Sequence, residues 1–177
     1  MPKARKEQIS LSDTPYYHCI SRCVRRAFLC GSDPLSGKDY QHRKQWMIER
    51  LTHLAQVFAI EIYAYSLMDN HSHLVLKVNA QLSSTWQDDE IIRRWQRLFS
   101  LPVLIERYQS GQCDTPAQKD KARETIELWR QRLTDISWFM RCLNEHIARK
   151  ANAEDQCSGR FWDWFLRPAK PAYITSL

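Results

Sequence analysis

The 177-residue chain lacks any apolar run of the roughly 18 residues that a membrane-crossing helix needs. Its first ten residues, Met1 to Ser10, are charged and carry no apolar core of the kind a secretory signal requires. Its six cysteines (Cys19, Cys23, Cys30, Cys113, Cys142 and Cys157) include no Cys-x-x-Cys pair, the tight spacing that a common zinc site uses. Cys19 and Cys23, with His18 beside them, form the only cluster, and as strand residues on one face they read as small core side chains or as zinc ligands. Internal repeats and low-complexity tracts are absent too. These absences predict a single cytoplasmic domain with reduced thiols and no membrane partner.

Lysine and arginine outnumber the acids by 26 to 20, a net charge of +6. That surplus favours a polyanionic partner such as nucleic acid without proving one. Residues 1–14 read as a basic lead-in, and 15–177 as one domain. Pro15 to Val24, rich in β-formers, predicts a first strand. Tyr40 to Phe58 repeats apolar residues every three or four positions (Trp46, Met47, Leu51, Leu54, Ala55, Phe58), the rhythm of an amphipathic helix. Ala59 to Leu67 and His71 to Val78 then read as strands joined by the turn Met68-Asp69-Asn70, an antiparallel hairpin. Further helices are predicted at Glu90–Phe99, Pro116–Leu133 and Asp135–Ala151, and a closing strand at Arg160–Phe165. The expected class is α+β: a ferredoxin-like antiparallel sheet of order β-α-β-β-α-β in sequence, with a helical insertion over about 80–134, after the third strand.

The most informative local feature is His71-Ser72-His73 at the head of Leu74-Val75-Leu76. Residues two apart on a strand share a face and lie roughly 7 Å apart at Cα, a separation that suits two ligands of one divalent cation. Residues 72, 74 and 76 point one way and 71, 73 and 75 the other, so the imidazoles are expected on the face that the helices leave uncovered. The bland alternative is a solvent-facing polar pair.

The segment Tyr63-Ala64-Tyr65-Ser66-Leu67-Met68-Asp69-Asn70-His71-Ser72-His73-Leu74-Val75-Leu76 resembles the HUH signature of single-tyrosine transposases. The likeness is to the REP-associated branch, which commonly reads Tyr-x-Val-Met-Pro-Asn-His-x-His-Leu-Leu-Leu there. Tyr17-His18-Cys19-Ile20-Ser21-Arg22 resembles that family's first strand. Phe139 to Asn152, with Ser158-Gly159-Arg160-Phe161-Trp162, resembles its second core helix and the entry to its fourth strand. The resemblance implies that His71 and His73 bind Mg²⁺ or Mn²⁺, which polarises a scissile phosphate of single-stranded or hairpin DNA. It further implies that a tyrosine hydroxyl attacks that phosphate, leaving a 5′-phosphotyrosine and a free 3′-hydroxyl ready for strand transfer in DNA transposition. A homodimer is possible.

The nucleophile does not carry over. The branch places it, with the third metal ligand, in a Tyr-x-x-x-Asn-Pro helix beyond the fourth strand, and no such pattern occurs here. Residues 163–177 instead hold Pro168 and Pro171 within four positions, which a helix interior does not accommodate. The expectation is a chain truncated or frame-shifted relative to the family and inactive as a nuclease. No tyrosine lies between Asp135 and Phe161, so Tyr173 is the one remaining candidate nucleophile. Tyr16, Tyr17, Tyr63 and Tyr65 read as packing residues, with Tyr17 near the sheet face. Arg22, Arg25 and Arg26 after the first strand, and Lys3, Arg5 and Lys6 in the lead-in, are the candidate DNA contacts. Arg93, Arg94 and Arg97 with Trp86 and Trp95 read either as phosphate contacts with a stacking surface or as a wet helix side with tryptophans packed inward. Two other functions remain open: a non-catalytic module that binds or regulates at hairpin DNA, and an RNA-processing domain in which His71 is a metal-free general base.

Overall fold

Alternation along residues 71–78 becomes strand β3 (His71–Val78) in the computed structural model, which describes residues 14–24 and 28–163. Ser72, Leu74, Leu76 and Val78 are buried while His71, His73, Val75 and Lys77 are half-buried. Sealing Leu74 and Leu76 completely stabilises the fold by about 1.5–3 kcal/mol each, an upper bound because the unfolded chain already hides some surface. A one-residue slip of register would drive both imidazoles into the core, so this burial also fixes where the histidines point.

β3 is the central strand. β1 (Tyr16–Arg22) pairs with it antiparallel on one side and β2 (Ile60–Leu67) antiparallel on the other, giving the order β1-β3-β2. The chain is therefore α+β around a small antiparallel sheet, with six helices among the described residues. Helix α1 (Arg43–Val57) follows β1, and α6 (Ile136–Glu154) is the last helix of the described residues. Met47, Leu51 and Leu54 from α1 and Phe139, Leu143 and Ile147 from α6 share one core with Leu74 and Leu76. Asn144 of α6 donates to Ser21 Oγ at 3.0 Å, which ties that helix to the inner face of β1.

The expected fourth strand is represented among the described residues by a bridge between Cys23 and Trp162. Val24 N donates to Phe161 O at 2.9 Å and Asp163 N to Arg22 O at 2.6 Å. The expected strand at Arg160–Phe165 thus shrinks to one antiparallel contact before its last two residues leave the described part of the chain.

Between β3 and α6 lie four helices: α2 (Ala80–Thr85), α3 (Asp88–Gln96), α4 (Val103–Gln109) and α5 (Pro116–Arg132). Asn79 caps α2 by accepting from Leu82 N, and Thr115 with Gln118 forms a reciprocal capping box on α5. Trp95 and Trp129 stack at 5.0 Å between α3 and α5, and Trp138 of α6 packs 5.8 Å from Trp95. These helices are joined to the core by aromatic contact. No helix of the described residues is long and apolar enough to cross a membrane.

The hairpin turn is held from outside. Asp69 O accepts from Leu29 N and Cys30 N, and Asn70 O accepts from Cys23 N. Gly31 sits against this turn with φ +82°, and a Cβ there would meet Asp69 Oδ1 at 2.4 Å. Gly31→Ala is therefore expected to destabilise by about 2 kcal/mol, through left-handed strain plus the clash. Chemical denaturation would show it as a lowered midpoint at unchanged slope.

Candidate functional site

Strand pairing brings three imidazoles onto the half-buried face. Ile20 is opposite His73 and Arg22 opposite His71, while His18, two residues back from Ile20, lies opposite Val75. Directly paired residues share a face, so Arg22, His18, His71 and His73 form one group. Sequence reasoning found His71, His73 and Arg22. It set His18 beside Cys19 and Cys23, which register overturns: Cys19 is opposite Leu74 on the helix side, whereas His18 faces away from it. The cysteines are free thiols, and burial pushes Cys19 and Cys23 up to about 12, far from the thiolate a metal would need.

The hydrogen bonds decide which nitrogens are usable. His71 Nδ1 lies 2.6 Å from Asn70 Oδ1. A carbonyl oxygen only accepts, so His71 Nδ1 carries the proton and Nε2 keeps a lone pair. His73 Nδ1 lies 2.8 Å from His18 Nε2, with the two rings edge to edge, centroids 5.0 Å apart and planes at 24°. The Nε2 atoms of His71 and His73 have no hydrogen-bond partner among the described residues. The two rings cross at 71° with centroids 5.1 Å apart. An ion bound at ~2.1 Å from nitrogen lies ~3.2 Å from a ring centre, so rings up to ~6.4 Å apart can share it. The pair passes that test. Among the described residues, however, no group of three or more His, Cys, Asp or Glu side chains is placed to hold a metal ion.

Burial lowers the pKa of His71, with neighbouring His73 and Arg22 adding to the effect. Burial, then His73, lowers that of His18. Both rings are thus biased to the neutral form in which imidazole binds metals.

Further along the same face Tyr16 and Tyr63 meet edge to face at 5.1 Å, with Lys77 5.8 Å from the Tyr63 ring. Tyr63 and Tyr65 are 53% and 51% exposed, so these two are not the packing residues their β-propensity suggests. Tyr17 is buried at 7% on the helix side, which corrects its placement near the site face. Tyr16 pairs with Lys77, four residues beyond His73, roughly 13 Å along the strand. Neither Tyr16 nor Tyr63 therefore reaches the histidines as a nucleophile.

The remaining expectations divide. Lys3, Arg5, Lys6, Arg25, Arg26 and Tyr173 lie outside the described residues. Arg94 is committed to structure: it donates to Val57 O and Gln56 O, pairs with Glu90 and stacks over Trp86 at 3.9 Å. Arg97 donates to Gln56 Oε1 at 2.7 Å, and Trp86 and Trp95 are buried. Arg94 and the two tryptophans thus serve helix packing, as the reading with tryptophans packed inward has it. A hollow of about 670 Å³ lined by Ser21, Trp138, Asn144, Phe161 and Trp162 opens on the helix side of β1, away from the imidazoles. Comparison with known proteins adds no assignment: no family model, curated protein or solved structure matches the chain.

Proposed function

We propose that this chain is a single-stranded-DNA-binding protein of the HUH single-tyrosine transposase type, built on a ferredoxin-like sheet whose fourth strand begins at residues 161–163. The observation that carries the reading is the pair of imidazoles His71 and His73 on the face away from the helices, each held at Nδ1 and each with no partner at Nε2 among the described residues. His71 and His73 would hold Mg²⁺ or Mn²⁺, with imidazole favouring Mn²⁺ over the all-oxygen preference of Ca²⁺. Such an ion supplies Lewis-acid polarisation of a phosphate oxygen.

The chain's own residues then have separable tasks. Arg22, exposed and opposite His71, meets a backbone phosphate beside the imidazoles. Tyr63 offers an exposed ring on which a base can stack, and Lys77 beside it follows the backbone. A strand laid along β3 would touch both ends of this face. The free thiols of the described cysteines suit a reducing, cytoplasmic setting. Tyr16 and Tyr63 lie too far along the sheet to reach the histidines, so cleavage by this chain would have to draw its hydroxyl from elsewhere, and DNA binding without a covalent step is the second reading.

Incubating the full chain with Mn²⁺ and an end-labelled DNA hairpin carrying single-stranded flanks separates the two. A retarded complex on a native gel is expected, and Arg22→Ala should reduce the salt slope of binding by about one counterion. A covalent adduct on a denaturing gel, lost in Tyr173→Phe, would assign Tyr173 as nucleophile. Absence of any complex at low salt would end the DNA reading, and metal-independent cleavage of RNA alone would replace it with the general-base alternative.

A further inference from the structure

The His18–His73 contact has a direction that heavy-atom positions do not give, and chemistry chooses it. Of the two possible hydrogen bonds, His18 Nε2–H donating to His73 Nδ1 would leave the proton of neutral His73 on Nε2, blocking it as a ligand. The reverse bond, His73 Nδ1–H donating to His18 Nε2, leaves His73 Nε2 bare. His71 shows the same arrangement with its direction already fixed, because the Asn70 oxygen can only accept. Both rings would then have the same tautomer, with Nε2 facing solvent and Nδ1 tied down.

We propose that His18 is a positioning residue for cation binding: its Nε2 accepts the Nδ1 proton of His73, fixing the tautomer and ring orientation that leave His73 Nε2 free for a divalent cation. The proposal rests on the reading of His71 and His73 as ligands. Strand geometry supports the role. His18 and His73 sit on adjacent strands two residue pairs apart on one face, a diagonal across which long side chains can meet, and their ring nitrogens lie 2.8 Å apart without help from a loop. The rings are near-coplanar, at 24°, so the N–H···N bond lies close to the plane of both, its favoured geometry. Partners at the far nitrogen of a metal-binding histidine raise its basicity and hold its orientation, and their loss typically weakens affinity by about 10–100-fold.

Two measurements on the full chain test this. Long-range ¹H–¹⁵N correlation of the metal-free protein should show His73 protonated at Nδ1 in the wild type and in His18→Gln, whose Oε1 reaches about as far as imidazole Nε2. That signature should be lost in His18→Phe, which keeps a ring at this position but has no acceptor. Mn²⁺ titration by calorimetry should show the dissociation constant raised about 10–100-fold in His18→Phe and restored to within a few-fold of wild type in His18→Gln. Wild-type affinity in His18→Phe, or a wild-type His73 protonated at Nε2 in a chain that still binds Mn²⁺, overturns the role of His18 and leaves the metal reading standing. Absence of Mn²⁺ binding by the wild-type chain overturns both together.

Discussion

Alanine at both His71 and His73 is expected to abolish Mn²⁺ binding while leaving the far-ultraviolet spectrum unchanged and the thermal midpoint within a few degrees of wild type. The two halves of this expectation come from opposite sides of one strand. The imidazoles lie on the half-buried side and make their close contacts with Asn70, His18 and each other. The grip of β3 on the protein lies on the other side, where Ser72, Leu74 and Leu76 are fully enclosed, and in its ladders to β1 and β2. Removing the rings leaves the ladder and the enclosed leucines intact, so the fold keeps its main supports. The loss in affinity should exceed the ~10–100-fold typical of an outer-shell change, since the donors themselves are gone. The single variants give the finer reading, with each removing one donor and each expected to weaken binding by more than His18→Phe. Should the double variant bind Mn²⁺ as tightly as wild type, the histidines are a polar surface pair and the nucleic-acid chemistry built on them goes too.

Much of this site was legible because it obeys a period of two. Alternation along 71–76 placed the histidines opposite the leucines, and the Met68-Asp69-Asn70 turn made the hairpin antiparallel. The long helices were legible by the same logic at period 3.6, and α1, α5 and α6 fall within a few residues of their expected bounds. α2 and α4 were missed, because with six and seven residues they are too short to show a rhythm; the Asn79 side chain caps α2, and α4 begins after Pro102 with no side-chain cap. His18 was hidden as a partner of His73 for a different reason. Its contact crosses between strands 55 residues apart, and only the register of β1 against β3 brings the rings together. Local spacing suggested a Cys19–Cys23–His18 cluster that the pleat in fact divides. Arg94 was ambiguous for a similar reason: whether a helix-surface arginine meets DNA or its own fold depends on the neighbouring helix end, here the carbonyls of Gln56 and Val57.

Arg43 was the least legible residue and carries the largest expected effect on stability. At the start of α1 it reads as an ordinary solvated cation, yet its side chain is fully buried. Its Nε donates to Glu154 Oε2 at 2.7 Å, one terminal nitrogen to Asp155 Oδ1 at 2.5 Å and the other to Phe28 O at 2.8 Å. Its guanidinium also lies over the Tyr40 ring at 4.1 Å. Those partners clamp the N-terminus of α1 to the C-terminus of α6 and to the segment that carries Leu29 and Cys30 against the hairpin turn. The carboxylates remain 34% and 27% exposed, so part of their attraction is screened, and the pairing by itself adds little net stability. Breaking it is another matter. Arg43→Ala leaves a cavity under Tyr40, an unmatched Phe28 carbonyl and two adjacent carboxylates without their cation, a loss of about 3 kcal/mol. Arg43→Lys should recover only part of that, since one ammonium cannot reproduce the planar fork that meets Glu154, Asp155 and Phe28 together. Urea unfolding of the three proteins checks the order wild type, Lys, Ala. Lysine matching wild type would show that charge alone, and not the bidentate geometry, holds the two helices at this end.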